Sequence, residues 1–137
     1  MRLFLFIRWL FFAVLILTAC GKASSDRTGP EINEIKTSNN VLVISDCSGT
    51  SVDITARVAD PSGVDSVSIW YRVADQPFAS TSMTLKDGIY QATLVGSEFL
   101  GKGYGTLEFY IQAKDGAGNL SKSQTDQSIQ FLPCVNN

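Results

Sequence analysis

Three cysteines, a scatter of carboxylates and no histidine make up the reactive inventory of this 137-residue chain. Without imidazole the chain lacks the side chain that most often moves protons near neutral pH. No Ser-x-x-Lys pair, nucleophile elbow or phosphate-binding loop replaces it. Asp53, Glu98 and Glu108 are carboxylates of the kind that hydrolyse glycosides in pairs, but alternation turns Asp53 and Glu108 outward on different strands, where nothing perturbs them. Catalysis is therefore not expected. Asp60 and Asp65 in one loop, with Asp115 and Asn119 in another, offer the hard oxygen ligands that calcium takes. The same residues populate turns with no ion bound. No cofactor is expected, and calcium is the one ion these residues could hold.

The cysteines depend on their surroundings. Arg2 and Arg8 form a positive n-region, and Trp9 to Leu17 is an uninterrupted apolar run too short to remain as a membrane span. Residues 1–19 therefore read as a targeting segment that is not part of the fold. Its end, Leu17-Thr18-Ala19-Cys20, resembles the lipobox of bacterial lipoprotein precursors. That resemblance implies that Cys20 carries the lipid and begins the mature chain, since several acyl chains anchor stably where one binds only marginally. Cleavage before Cys20 takes two of the eleven basic residues, Arg2 and Arg8, leaving nine against thirteen acidic ones. A mildly acidic chain without a basic run has no electrostatic footprint for nucleic acid or for anionic headgroups. Cys47 and Cys134 then remain as an even pair in an oxidising compartment, where a disulfide is the default. Two thiolates without histidine fall short of a zinc site.

The elements that must position these residues are strands. Gly21 to Pro30 is small, polar and aperiodic, the composition of a flexible tether, so residues 20–30 are set apart from a domain over 31–137. Thr106 to Lys114 alternates strictly, with Leu107, Phe109, Ile111 and Ala113 inward, before the turn cluster Asp115-Gly116-Ala117-Gly118-Asn119. Ser51 to Ala59 alternates as cleanly and ends at Asp60-Pro61-Ser62-Gly63. Asp65 to Val73 is a third strand, with Trp70 and Arg72 outward. Glu31 to Lys36 and Val41 to Ser45 read as a broken first strand, and Phe78 to Leu85 as a weak one. Asp87-Gly88 predicts a two-residue hairpin leading into Tyr90, Ala92 and Leu94. Gly96 to Gly105 reads as an irregular crossover, and Leu120 to Leu132 as one final strand, bulged near Asp126.

About seven short strands with turn clusters between them, and no helical period, predict an all-β antiparallel sandwich. Asp60-Pro61-Ser62-Gly63-Val64, Gly88-Ile89-Tyr90 and the run from Phe109 to Asn119 resemble the immunoglobulin-like and fibronectin-III-like domains of bacterial surface proteins, over about residues 30 to 132. The resemblance implies an immunoglobulin-like topology, in which Cys47 and Cys134 meet at one end of the sandwich. It also implies that the third strand neighbours the strand over Thr106–Lys114. Trp70 would then lie nearly opposite Tyr110, with Arg72 and Glu108 beside them. Such a pair stabilises a sheet by roughly 0.2–1 kcal/mol, and Trp, Tyr and Arg are also the residues of interface hot spots.

The expectation is a lipid-anchored, extracytoplasmic binding or structural accessory module at the cell envelope, on the outer membrane in a Gram-negative cell, with a protein or glycan partner there. The alternatives are a small envelope carbohydrate-active enzyme and a calcium-stabilised adhesion module.

Overall fold

A computed structural model describes residues 26–44, 51–99, 104–124 and 127–133. Among the described residues, ten strands lie in two sheets. The smaller contains β1 (Glu31–Thr37), β3 (Ser51–Ala59), β7 (Ile89–Val95) and β6 (Thr84–Lys86), in the order β1-β3-β7-β6. The larger runs β2 (Val41–Ile44), β10 (Gln127–Pro133), β8 (Gly105–Asp115), β4 (Val64–Val73) and β5 (Ala79–Ser82). A short β9 (Leu120–Lys122) also pairs with β8. The result is the expected immunoglobulin-like sandwich. All pairings are antiparallel except β2 with β10, which is parallel.

The core follows from the alternation. Val52, Ile54 and Ala56 of β3 face Leu107, Phe109, Ile111 and Ala113 of β8, with Val67, Ile69 and Val73 of β4 and Ile129 and Phe131 of β10 completing the layer. Polar neighbours on the same strands point to water, so each sheet is apolar only where it meets the other. Phe99, on a 3₁₀ turn over Gly96–Phe99, closes one end of this core between Tyr71 and Phe131, at ring separations of 5.5 and 5.1 Å. That end, where β8 begins and β10 finishes, is the distal pole below. The opposite one, holding the β3–β4 and β8–β9 turns, is the proximal pole.

Seven expected strands become ten because two of them switch sheets along their length and a third divides into two pieces that both pair with β8. β1 pairs with β3, with Glu34 at φ 49° beside a register shift, whereas β2 crosses to β10. The weak run from Phe78 splits at Met83, whose side chain is buried while its amide donates to the Val67 carbonyl at 2.9 Å. β5 stays in the larger sheet, and β6 joins the smaller. The last segment divides into β9 and β10 rather than forming one bulged strand; of the residues read as its bulge, Asp126 lies outside the described residues. At the β6–β7 hairpin Asp87 and Gly88 both take positive φ, 50° and 78°, as a type I′ turn requires.

One segment departs from its compositional reading. Asp26–Pro30, taken as tether, packs onto the domain: Pro30 is buried, and a Cβ on Gly29 would lie 2.6 Å from Ser121 Oγ and 2.9 Å from the Leu120 carbonyl. Gly and Thr serve close packing and capping as readily as flexibility, and composition alone does not separate the two uses.

Phe109→Ala removes a fully buried ring at the centre of this core and should cost about 3–5 kcal/mol. Leu85→Ala, at a side chain 56% exposed on edge strand β6, should stay within about 0.5 kcal/mol. Urea unfolding of the two variants measures the difference; equal losses would contradict the burial pattern.

Candidate functional site

Two groups of side chains stand out, one on the outer face of the larger sheet and one at the proximal pole. On the outer face the β4–β8 register pairs Trp70 directly with Tyr110, and Arg72 with Glu108. The indole and phenol rings are parallel within 3°, their centroids 6.1 Å apart. Trp70 Nε1 donates to Ser68 Oγ at 3.1 Å, which fixes the indole in its plane. Arg72 donates through Nε and a terminal nitrogen to the same Glu108 oxygen, at 2.9 and 2.8 Å. The four residues named from the sequence therefore form one contiguous group.

The structure adds two residues that alternation did not mark. Phe78, in the segment between β4 and β5, meets Tyr110 edge-on at 5.2 Å and lies under the Arg72 guanidinium at 4.8 Å. Lys122 of β9 places its ammonium 5.0 Å from the Tyr110 ring centre. Both come from edge segments too short to show a period, and their only sequence signal is an aromatic or a cation next to a turn. Covered in this way, Tyr110 is only 9% exposed, while Trp70, Arg72 and Glu108 remain open in part. The Arg72–Glu108 pair is itself partly solvated, which holds its contribution to about 1 kcal/mol or less.

At the proximal pole Asp60 and Asp115 come together as expected, and the third member is Asp26 from the lead-in segment, with carboxylate oxygens of all three within 4.8 Å of one another. Asp65 is not in the group; its carboxylate lies 3.6 Å from Lys114 Nζ, beside the register shift between Val64 and Ser66. Asn119 is present, but its amide nitrogen donates to Asp115 Oδ2 at 2.7 Å and to the Asp26 and Thr28 carbonyls at 3.2 Å.

The carboxylates are occupied by their own loops. Asp26 Oδ1 accepts from the Thr28 amide and hydroxyl, Asp60 Oδ1 accepts from the Ser62 amide and hydroxyl, and Asp115 Oδ1 accepts from the Asn119 amide at 2.7 Å. Burial alone would raise the pKa of Asp115. The side chain of Asn119 and the amides of Asn119, Gly118 and Ala117 outweigh it and hold the carboxyl below its ordinary range. Asp26 is likewise lowered, chiefly by the Thr28 amide and the Ser62 hydroxyl. These are turn-closing bonds, and no ion is needed to account for them.

The carboxylates weighed for glycoside chemistry are not brought together. Asp53 accepts from Thr93 Oγ1 at 2.6 Å on the outer face of the smaller sheet, Glu108 is on the outer face of the larger, and Glu98 is exposed on the 3₁₀ turn. A small cleft lined in part by Tyr71, Pro77 and Phe99 opens at the distal pole. Burial, and then the Glu98 carboxylate, raise the Tyr71 pKa, so its phenol stays protonated. Cys20, Cys47 and Cys134 lie outside the described residues.

No protein-family model matches the chain, and no curated protein does. Among solved structures it is similar to the Br derivative of BhCBM56, with 15% identity over 64% of this chain and 86% of that one, at a TM-score of 0.44. It is also similar to catalytically inactive OgpA from Akkermansia muciniphila in complex with an O-glycopeptide substrate, with 14% identity over 77% of this chain and a TM-score of 0.47. The chain spans about a third of the length of OgpA (32%).

Because the folded state lowers the pKa of Asp115 and Asp26, their contribution is present above the unfolded value of about 3.9 and is lost as pH falls through the lowered one. Stability should therefore fall below about pH 4, and Asp115→Asn should reduce both neutral-pH stability and the steepness of the acid limb. Calcium or a chelator should leave the melting temperature unchanged. A rise with calcium would instead give the carboxylates to an ion.

Proposed function

We propose that this chain is an extracytoplasmic lipoprotein, anchored through Cys20, whose single sandwich acts as a binding or structural accessory module at the cell envelope. The partner, a protein or a glycan, is met on the outer face of the larger sheet. The observation that carries this reading is the array of Trp70, Tyr110 and Phe78 with the Arg72–Glu108 pair, held on a face over which the described residues place no second layer. Rings fixed in place by Ser68, by one another and by flanking cations have little conformational freedom left to lose on binding, which favours affinity. Trp and Arg in such a setting are the residue types that dominate binding energy.

The same array also stabilises the sheet, so the test must separate the two effects. Trp70→Ala should cost about 1 kcal/mol of stability or less and at the same time abolish recovery of the partner from envelope extracts. Loss of recovery that survives protease treatment of the extract identifies a glycan; loss that disappears with it identifies a protein. Unchanged recovery from the Trp70→Ala chain would refute this surface.

The compartment supplies the remaining part of the proposal, a Cys47–Cys134 disulfide. It is supported by the parallel pairing of β2 with β10, which puts Ile44 in register with Pro133, three and one residues before the two cysteines. A bridge closing so long a loop contributes about 2–5 kcal/mol. Mass spectrometry of the non-reduced membrane fraction should find an N-terminal peptide that begins at Cys20 with its acyl chains, and a cross-linked pair containing Cys47 and Cys134. A mature chain beginning elsewhere without lipid, or both thiols free, would overturn the corresponding half.

A further inference from the structure

We infer that Asp26–Pro30 is a docked collar rather than free tether, and that it sets which pole of the sandwich stands toward the membrane. The inference about orientation rests on the lipid anchor at Cys20 proposed above; the collar itself rests on geometry alone. Asn119 Nδ2 reaches two carbonyls of the segment, those of Asp26 and Thr28, and is itself braced by Asp115. Gly29 lies so close to Leu120 and Ser121 that no side chain fits there, and Pro30 is buried directly before β1 begins. The Asp26 carboxylate folds back on Thr28 and is approached by Ser62. The collar is thus tied to the β3–β4 and β8–β9 turns by separate contacts, and those turns are tied to each other by the Gly116 amide donating to the Gly63 carbonyl at 3.2 Å.

The collar shortens what remains of the lead. Five residues, 21–25, separate Cys20 from Asp26, a distance of at most about 20 Å fully extended. The pole carrying Asp60, Asp115 and Ala117 is then confined near the bilayer surface. β8, with eleven residues, runs away from it for about 35 Å. Strands standing away from the membrane turn the Trp70–Tyr110 face sideways. A partner on that face would be a neighbour at the same height in the envelope, not a molecule approaching the tip.

Trypsin tests the collar on the full chain in detergent. The Arg27–Thr28 bond lies inside the docked segment and the Lys22–Ala23 bond before it. Cleavage after Lys22 should be fast and after Arg27 slow, because cutting there follows the population of the opened segment. Asn119→Ala removes two to three hydrogen bonds and should speed the Arg27 cut about tenfold or more. Gly29→Ala, which leaves Asp115 and Asn119 in place, should do the same and keeps the test decisive should Asn119→Ala unfold the domain. Equal rates after Lys22 and Arg27 in the unaltered chain would overturn the collar.

Orientation is read separately by energy transfer to headgroup-labelled vesicles of phosphatidylethanolamine and phosphatidylglycerol. The donor is a fluorescent non-natural residue at Ala117 or at Asp75, both exposed and at opposite poles. Transfer from position 117 should exceed that from 75. Equal transfer with the chain vesicle-bound would refute the orientation alone. A chain that carries no lipid and fails to bind vesicles would remove the anchor reading and the orientation together, while the trypsin result would still decide the collar.

Discussion

The fold depends on β8 having a neighbour on each side. β4 pairs with it from Leu107 to Asp115, while β10 and then β9 share its other edge. A strand enclosed in this way has no edge open to water or to another chain, so its inward residues must fill the core and its outward residues must lie in the middle of a sheet face. Leu107, Phe109, Ile111 and Ala113 satisfy the first demand. Glu108 and Tyr110 meet the second, and their cross-strand partners on β4 are thereby fixed. The most buried part of the molecule and its most ordered surface group are two faces of one strand.

This is why the centre of the fold was legible in the sequence and its margins were not. β3, β4 and β8 are long enough for a period of two to be unambiguous, and taking β4 and β8 as neighbours puts Trp70 nearly opposite Tyr110 with Arg72 and Glu108 beside them, while the register that pairs them residue by residue is set by the folded sheet. The edge strands have only three to seven residues each, and several exist because a neighbouring segment holds them rather than through their own pattern. Met83 shows the limit: one buried residue carries the chain from one sheet to the other, and nothing in Ala79 to Lys86 distinguishes such a switch from a continuous weak strand. Phe78 and Lys122 were invisible for the same reason. Asp26 was hidden differently, because its segment has the composition of a linker and its contacts are with residues about ninety positions away.

The aromatic group on the outer face serves stability and exposure in unequal shares. Tyr110 is almost covered by Trp70, Phe78 and Lys122, so its share belongs to the sheet. Trp70 and the Arg72–Glu108 pair keep part of their surface in water. Desolvating that surface against a partner would strengthen the ion pair only if the partner supplied donors to Glu108 to offset lost hydration. A surface of this kind selects by geometry, because the pair's orientation is already set and a poorly matched partner would leave it buried without compensation.

The two ends of the sandwich are built by different means. At the distal pole apolar packing closes the core, through Tyr71, Phe99 and Phe131. At the proximal pole the contacts are polar, and they converge on Asp115, which is only 1% exposed yet has no cation among its partners in the described residues. A buried carboxylate is costly unless several donors reach it, and here the Asn119 side chain joins the amides of Asn119, Gly118 and Ala117 in meeting that cost. Since the same Asn119 amide holds the collar, the turn and the lead-in segment open or close together.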